Sequence, residues 1–145
     1  EIDYIQWLLG SMEVQYAHLR SSSELNLEVE ELVDVILVSD TGTVCNIHLD
    51  FLQKKANRTC SFIGEKGRLD WDLLSNTIML HTGGGSEVLF SEADWDPNQM
   101  YLSLLTDFLD LVAGRKNSSI DLEQAAKTVE LIEDIKSCAI QGVKQ

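Results

Sequence analysis

Basic residues are scarce: 11 Lys and Arg stand against 24 Asp and Glu in 145 residues, a net charge of −13. A field of that sign repels phosphate backbones and anionic lipid, so neither nucleic acid nor a charged membrane surface is an expected partner. No apolar run approaches the ~20 residues of a membrane span, and the first residues lack the basic, apolar, small-residue order of a signal peptide. Cysteine is limited to Cys45, Cys60 and Cys138. An odd number without a Cys-x-x-Cys pair reads as a reduced, cytoplasmic chain with no disulfide framework. With 44% hydrophobic and 24% charged residues, long disorder is excluded and one globular domain of ordinary size is expected.

Catalytic signatures are equally sparse. His18, His48 and His81 all fall on expected strands, and none shares the His-x-x-x-His or His/Cys spacing of a zinc site. Gly83-Gly84-Gly85 lies between two expected strands, whereas a phosphate loop needs a strand before it and a helix after it. There is no Gly-x-Ser-x-Gly, Cys60 has no base at a motif spacing, and Asp107 and Asp110 read as a solvated helix face. No self-contained active site is visible, and no metal site is expected.

What the chain does carry is pattern. Ile2, Ile5, Leu8 and Leu9 recur at helical spacing and Gly10 stands where a helix would end. Val14 to Arg20 alternates as a strand, with Val14, Tyr16, His18 and Arg20 on one side, and Ser21-Ser22-Ser23 follows as a polar stretch. Glu31–Ser39 and Thr43–Phe51 are β-rich runs joined by Asp40-Thr41-Gly42, a three-residue hairpin loop with glycine in the left-handed position. Ser39 facing Thr43 then sets Val33 opposite Leu49, Val35 opposite Ile47 and Leu37 opposite Cys45. Asp34 opposite His48 and Ile36 opposite Asn46 occupy the other face.

A second hairpin is expected from Arg58–Gly64 through Glu65-Lys66-Gly67 to Arg68–Trp71, with Gly64 paired to Arg68, Ile63 to Leu69 and Phe62 to Asp70. Thr77–His81 and Glu87–Phe90 add further strands, about seven in all. Asp96-Pro97-Asn98-Gln99 starts a helix with a capping box, and Tyr101, Leu104, Leu105, Phe108, Leu111 and Val112 form its apolar stripe up to Gly114. Ser118-Ser119 leads to a second capping signal at Asp121-Leu122-Glu123-Gln124. Leu122, Ala125, Ala126, Val129, Ile132, Ala139 and Val143 then extend a helical stripe to the end. The fold class is α+β: an open, mostly antiparallel sheet with helices packed on one face and the other face open for oligomerisation.

That open face is the informative surface. Ile36, Val38 and Val44 would lie on it beside Asp34, Asn46 and His48, and apolar β-branched groups among polar ones are explained by self-association about a two-fold axis. These residues, Asp34, Ile36, Val38, Val44 and Asn46, are the expected interface of a homodimer or tetramer. His48 opposite Asp34 admits two readings. A carboxylate can charge an imidazole for proton transfer, and a cross-strand polar pair can simply stabilise the sheet, which is the economical reading.

The strings Glu1-Ile2-Asp3-Tyr4-Ile5-Gln6-Trp7-Leu8-Leu9-Gly10, Leu49-Asp50-Phe51-Leu52-Gln53 followed by Arg58, and Ile63-Gly64-Glu65-Lys66-Gly67-Arg68-Leu69-Asp70-Trp71-Asp72 come in an ordered series. With Met100-Tyr101 to Phe108 and the terminal helix holding Ala125-Ala126 and Ser137…Gly142, it resembles the C-terminal domain of the glucose–fructose oxidoreductase / inositol dehydrogenase (Gfo/Idh/MocA) family over nearly the whole chain. The resemblance implies an NAD(P)-dependent oxidoreductase acting on a sugar, cyclitol or related polyol. It further implies that NAD or NADP is bound by an N-terminal Rossmann domain absent from this chain, together with a Glu-Lys-Pro lysine and an Asp-x-x-x-His segment. On that pattern the catalytic His stands directly before Glu1. An uncapped helix at Glu1, with no Ser, Thr, Asp or Asn ahead of it, agrees with a cut at that point. Residues 1–145 are then one substrate-binding and oligomerisation domain, with no catalytic residue, no bound cofactor and no activity of its own. His48, Asp50 and Arg58 are the expected substrate-binding side chains. The competing expectation is a non-enzymatic interaction module that pairs through its open sheet face.

Overall fold

A computed structural model describes residues 1–21, 25–92, 94–115 and 121–141, the last two by backbone alone. Ser22, Ser23, Ser118, Ser119, Gly142 and Val143, used in the pattern above, lie outside the described residues. The chain divides into two compact units, one formed by Glu1–Gln53 with Ile120–Gln145 and the other by Lys54–Ser119. The α+β, largely antiparallel character holds, but the strands form two four-stranded sheets, one in each unit.

In the first unit, α1 (Ile2–Leu9) ends at Gly10, which adopts φ 83° and donates its backbone N–H to Gln6 O at 2.9 Å. Strands β1 (Met12–Arg20), β2 (Leu32–Ser39) and β3 (Val44–Asp50) are antiparallel neighbours. The first hairpin is as its turn chemistry requires. Gly42 sits at φ 83°, its N–H bonds to Ser39 O at 2.8 Å, and Ser39 N bonds to Thr43 O at 2.9 Å. Ser39 also spends its buried hydroxyl on the loop, accepting from Thr43 N at 3.0 Å. The β2–β3 register is the expected one at every position: Val33↔Leu49, Asp34↔His48, Val35↔Ile47, Ile36↔Asn46 and Leu37↔Cys45.

One detail of β1 departs from simple alternation. A bulge falls between Val14 and Tyr16, so Val14 faces Leu37 while Tyr16 faces Ile36 and Ala17 faces Val35. The extra residue, Gln15, switches the parity of the strand. Val14 therefore lies on the core side, whereas Tyr16, His18 and Arg20 lie on the other. Ala17, Val35 and Leu37 are almost wholly buried with Met12, Ile47, Ile5 of α1, and Leu131 and Ile135 of α3 (Leu122–Cys138).

Helix α3 begins as its capping signal demands. Asp121 Oδ1 accepts from Gln124 N at 2.9 Å, and Gln124 Oε1 accepts from Asp121 N at 3.3 Å. Its buried stripe is not the expected one. Leu122 and Val129 are exposed while Leu131 and Ile135 enter the core. The helix stops at Cys138, and β8 (Ile140–Gln141) pairs in parallel with His18 and Leu19 of β1. Sheet order is β3-β2-β1-β8. The far end of this sheet is tied by Arg20, whose Nε and Nη2 donate to Glu31 Oε1 at 2.9 and 2.8 Å. Glu31 is 1% exposed, and a carboxylate so buried stays charged only with such a partner.

The second unit holds β4 (Thr59–Gly64), β5 (Gly67–Asp72), β6 (Thr77–Thr82) and β7 (Gly85–Ser91), in that order, and α2 (Asn98–Val112). Here the expected register is corrected by one residue. Gly64 pairs with Gly67, Ile63 with Arg68, Phe62 with Leu69 and Ser61 with Asp70, so the loop is Glu65-Lys66 alone. The physical reason is Gly67, which belongs to the strand. A Cβ there would collide with the His81 backbone carbonyl on β6, so glycine is needed for strand approach, not for the turn. Gly83-Gly84 form the next turn, and β7 starts at Gly85. The N-cap of α2 is Pro97, with no side-chain cap bond, so the capping box expected at Asp96–Gln99 does not form. Asp96 Oδ1 instead accepts from Asn98 N at 2.9 Å in the turn that leads into the helix. The stripe of α2, from Tyr101 to Val112, is exposed in this unit instead of buried. No helix among the described residues is long and apolar enough to cross a membrane.

Replacing Gly67 with Ala should lower stability by about 2–4 kcal/mol, because the colliding partner is backbone and cannot swing aside. A urea midpoint indistinguishable from the parent would show that β5 and β6 are not this close.

Candidate functional site

Both helices of the first unit pack on the Val35–Leu37 face of its sheet, leaving the opposite face to β1, β2 and β3 alone. The registers arrange that face in four rows across the three strands: Glu13–Val38–Val44, Tyr16–Ile36–Asn46, His18–Asp34–His48 and Arg20–Leu32–Asp50. Rows lie about 7 Å apart along the strands. The two nearest the Asp40–Gly42 hairpin are apolar-rich, and the two farthest from it hold His18, Asp34, His48, Arg20 and Asp50. Tyr16 is 42% and Val44 59% exposed, so the apolar end is open to contact.

His48 is the centre of the polar end. Its Nδ1 lies 2.6 Å from Asp34 Oδ1 and its Nε2 lies 3.0 Å from Asp50 Oδ2. Two ionised carboxylates can only accept, so both contacts are hydrogen bonds when each ring nitrogen carries a proton, and the arrangement favours the imidazolium. The Asp34 bond, helped by the Asp50 bond, holds the His48 pKa above its ordinary 6.5 against a weaker opposing effect of burial.

Asp50 is fixed by the chain that follows it. Oδ1 accepts from Leu52 N at 2.8 Å and Gln53 N at 3.0 Å, while Oδ2 accepts from Gln53 Nε2 at 2.7 Å as well as from His48. The Gln53 side chain first, then the Leu52 and Gln53 amides and His48, hold its carboxyl below the ordinary value of 3.8. With four donors and a side chain 4% exposed, Asp50 is a brace for His48 and presents little oxygen to a ligand. Asp34 is different. Its side chain is 46% exposed, and only Oδ1 is taken by His48, so Oδ2 is available to accept a hydroxyl.

The structure thus brings His48, Asp50, Asp34, Ile36, Val38, Val44 and Asn46 onto one sheet face. Arg58 belongs to the second unit, exposed ahead of β4, with its carbonyl accepting from Leu73 N at 2.9 Å. Two residues of this face, Tyr16 and His18, escaped the sequence reading. Their placement depends on the β1–β2 pairing across a long connection and on the Gln15 bulge, neither of which leaves a turn signature. His18 stands directly opposite Asp34, so one aspartate lies between two histidines. Among the described residues no group of three or more His, Cys, Asp or Glu is placed to hold a metal ion.

The Gly83–Gly85 loop does not have the form of a dinucleotide loop: it connects two antiparallel strands, Thr82 pairing with Gly85, where a pyrophosphate loop runs from a strand into a helix.

Comparison with known proteins matches residues 1–143 to a family described as "Oxidoreductase family, C-terminal alpha/beta domain". Comparison with curated protein sequences gives no match. Among solved structures, biliverdin reductase from Synechocystis sp. PCC 6803, in complex with biliverdin and NADP+, is similar with a TM-score of 0.79 at 17% identity, over 95% of this chain and 43% of that one. A UDP-N-acetylglucosamine 3-dehydrogenase from Acidithiobacillus ferrooxidans gives 0.77 at 14% identity, over 95% and 44%. A 3-ketoreductase from Actinomadura kijaniata in complex with TDP-benzene and NADP gives 0.75 at 16% identity, over 97% and 45%. The chain spans less than half the length of these structures. It belongs to the Gfo/Idh/MocA oxidoreductase family, as its C-terminal α/β domain.

The His48 assignment has a definite pH consequence. A folded pKa raised above 6.5 means that the clamp contributes its full stability below pH 6.5 and loses it as pH rises through the higher folded value. Asp34→Asn should bring the His48 titration, followed by NMR, down towards 6.5. A His48 midpoint at or below 6.5 in the parent protein would contradict the two-carboxylate geometry.

Proposed function

We propose that this chain forms the substrate-binding and oligomerisation domain of an NAD(P)-dependent oxidoreductase acting on a sugar, cyclitol or related polyol. Family membership supports the oxidoreductase part. The nucleotide is assigned to a Rossmann domain elsewhere in the enzyme, since the glycine loop here does not fit it. One structural relative is named a UDP-N-acetylglucosamine 3-dehydrogenase, another is a 3-ketoreductase holding TDP-benzene, and two contain NADP, which favours this class of chemistry. The biliverdin complex shows that the fold alone does not choose the substrate.

The observation that carries the polyol reading is the His18–Asp34–His48 row. A hydroxyl-rich ligand needs acceptors held rigidly on strands. Asp34 Oδ2 supplies one, and its position is fixed because His48 grips Oδ1 while Asp50 grips His48. In this reading Asp50 acts through His48, and Arg58 is a separate proposed substrate-binding side chain of the second unit.

The rows nearer the hairpin take the other role. Ile36, Val38 and Val44, with Asn46 and Tyr16, form a strip of apolar groups between polar ones, and a second copy turned about a two-fold axis would cover it with the same strip. Such an enzyme is a homodimer or tetramer. The exposed stripe of α2 is a further apolar surface of the kind that marks contact with another domain or chain.

In the intact oxidoreductase, Asp34→Asn should raise KM for the polyol about 10- to 100-fold, the worth of a hydrogen bond to a charged acceptor, with kcat and the KM for the nucleotide little changed. An unchanged KM for every polyol oxidised would remove this row from the substrate pocket.

A further inference from the structure

The second sheet carries a chemical arrangement that the function above does not use. Three neighbouring strands, β5, β6 and β7, bring Asp70, His81 and Ser86 into one line across its polar face. His81 stands directly opposite Arg68 on one side and Ser86 on the other, with Asp70 the diagonal neighbour. His81 Nε2 lies 3.1 Å from Asp70 Oδ2, and His81 Nδ1 lies 2.7 Å from Ser86 Oγ.

The proton positions follow from the partners. Asp70 accepts from Ser61 Oγ on Oδ1 at 2.7 Å, and from Arg68 Nε at 3.0 Å and Nη2 at 2.8 Å on Oδ2. Ser61 first and then Arg68 hold its carboxyl below the ordinary value, so it is ionised at neutral pH. An ionised acceptor facing Nε2 keeps the ring proton there. Nδ1 then offers its lone pair to the Ser86 hydroxyl, which must donate. A hydroxyl in reach of a base, and a base oriented by a carboxylate, is the geometric requirement for an activated nucleophile. Ser86 is exposed while His81 and Asp70 are 29% and 33% exposed, so the relay is half-sheltered behind an approachable oxygen.

We propose that Ser86 is a nucleophilic serine, with His81 as its general base and Asp70 as the group that orients His81, and that it accepts an acyl group from small activated esters. In the first step Ser86 Oγ forms a bond to the ester carbonyl carbon while its proton passes to His81 Nδ1. The ester C–O bond then breaks, and the proton leaves with the departing alcohol. Water, deprotonated by the same His81, hydrolyses the acyl-serine and restores the hydroxyl. The relay lies on an open strand face without enclosing walls, and this limits it to esters whose leaving group departs with little assistance.

The test is p-nitrophenyl acetate added to the protein, with p-nitrophenolate release followed by absorbance and the acetylated residue located by peptide mass spectrometry. The expected result is a burst of release with acetyl on Ser86. The burst should be absent in Ser86→Ala, slowed about 100-fold or more in His81→Gln, and retained in Ser91→Ala on the same strand. Release from the parent no faster than from Ser86→Ala, or acetyl found on another residue, would overturn the assignment. Peptide mapping of the parent alone decides the matter should either variant fail to fold.

Discussion

Side chains of a strand alternate between its faces, so the pairing of β2 with β3 determines which residues of the first unit are core and which are surface. Leu37 is 0% exposed and sits between Ile36 and Val38. Sliding β3 by one residue against β2 would trade Cys45, Ile47 and Leu49 for Asn46 and His48 on the core side, burying polar groups against aliphatic side chains. The Ser39–Gly42 loop holds that register at one end through four short hydrogen bonds. At the other end the ladder continues through Glu31, which donates to Arg20 O and accepts from Phe51 N. With both ends fixed, the polar rows stay together on the open face.

The electrostatics are built on this frame in order of depth. Glu31 is the most buried charge and is matched by Arg20. Asp50 is nearly as enclosed, but is satisfied by backbone amides of the turn it initiates, so it remains an anion that charges His48. His48 in turn holds Asp34, whose second oxygen reaches solvent. Each step moves outward from a fixed group to a more accessible one, so the exposed Asp34 carboxylate is positioned by residues more enclosed than itself.

Local chemistry was legible in the amino-acid order, and non-local chemistry was not. The Asp40-Thr41-Gly42 turn determined an entire pairing, from which the Asp34–His48 contact could be read directly. The Glu65-Lys66-Gly67 turn misled by one position, because Gly67 answers to the carbonyl of His81 on a third strand, a neighbour that no turn rule includes. The β1 bulge at Gln15 is invisible to a period-two pattern, and it is what places Tyr16 and His18 on the open face. Periodicity likewise marked an amphipathic α2 without saying what lies against it, and it weighted Leu122 and Val129 in α3 where Leu131 and Ile135 are buried. The resemblance to an oxidoreductase domain supplied what patterns could not, a class of chemistry for a chain with no catalytic motif.

One face of the first sheet is core, and the other is proposed to meet a second copy of the chain. Hydroxyl-radical footprinting over a range of protein concentrations tests both halves at once. Oxidation of Tyr16, Ile36, Val38 and Val44 is expected in dilute protein and should fall as concentration rises, with Val35, Leu37 and Ile47 protected throughout. Oxidation of Leu37 as fast as that of Ile36, or labelling of Tyr16 and Val44 that does not change with concentration, would contradict it.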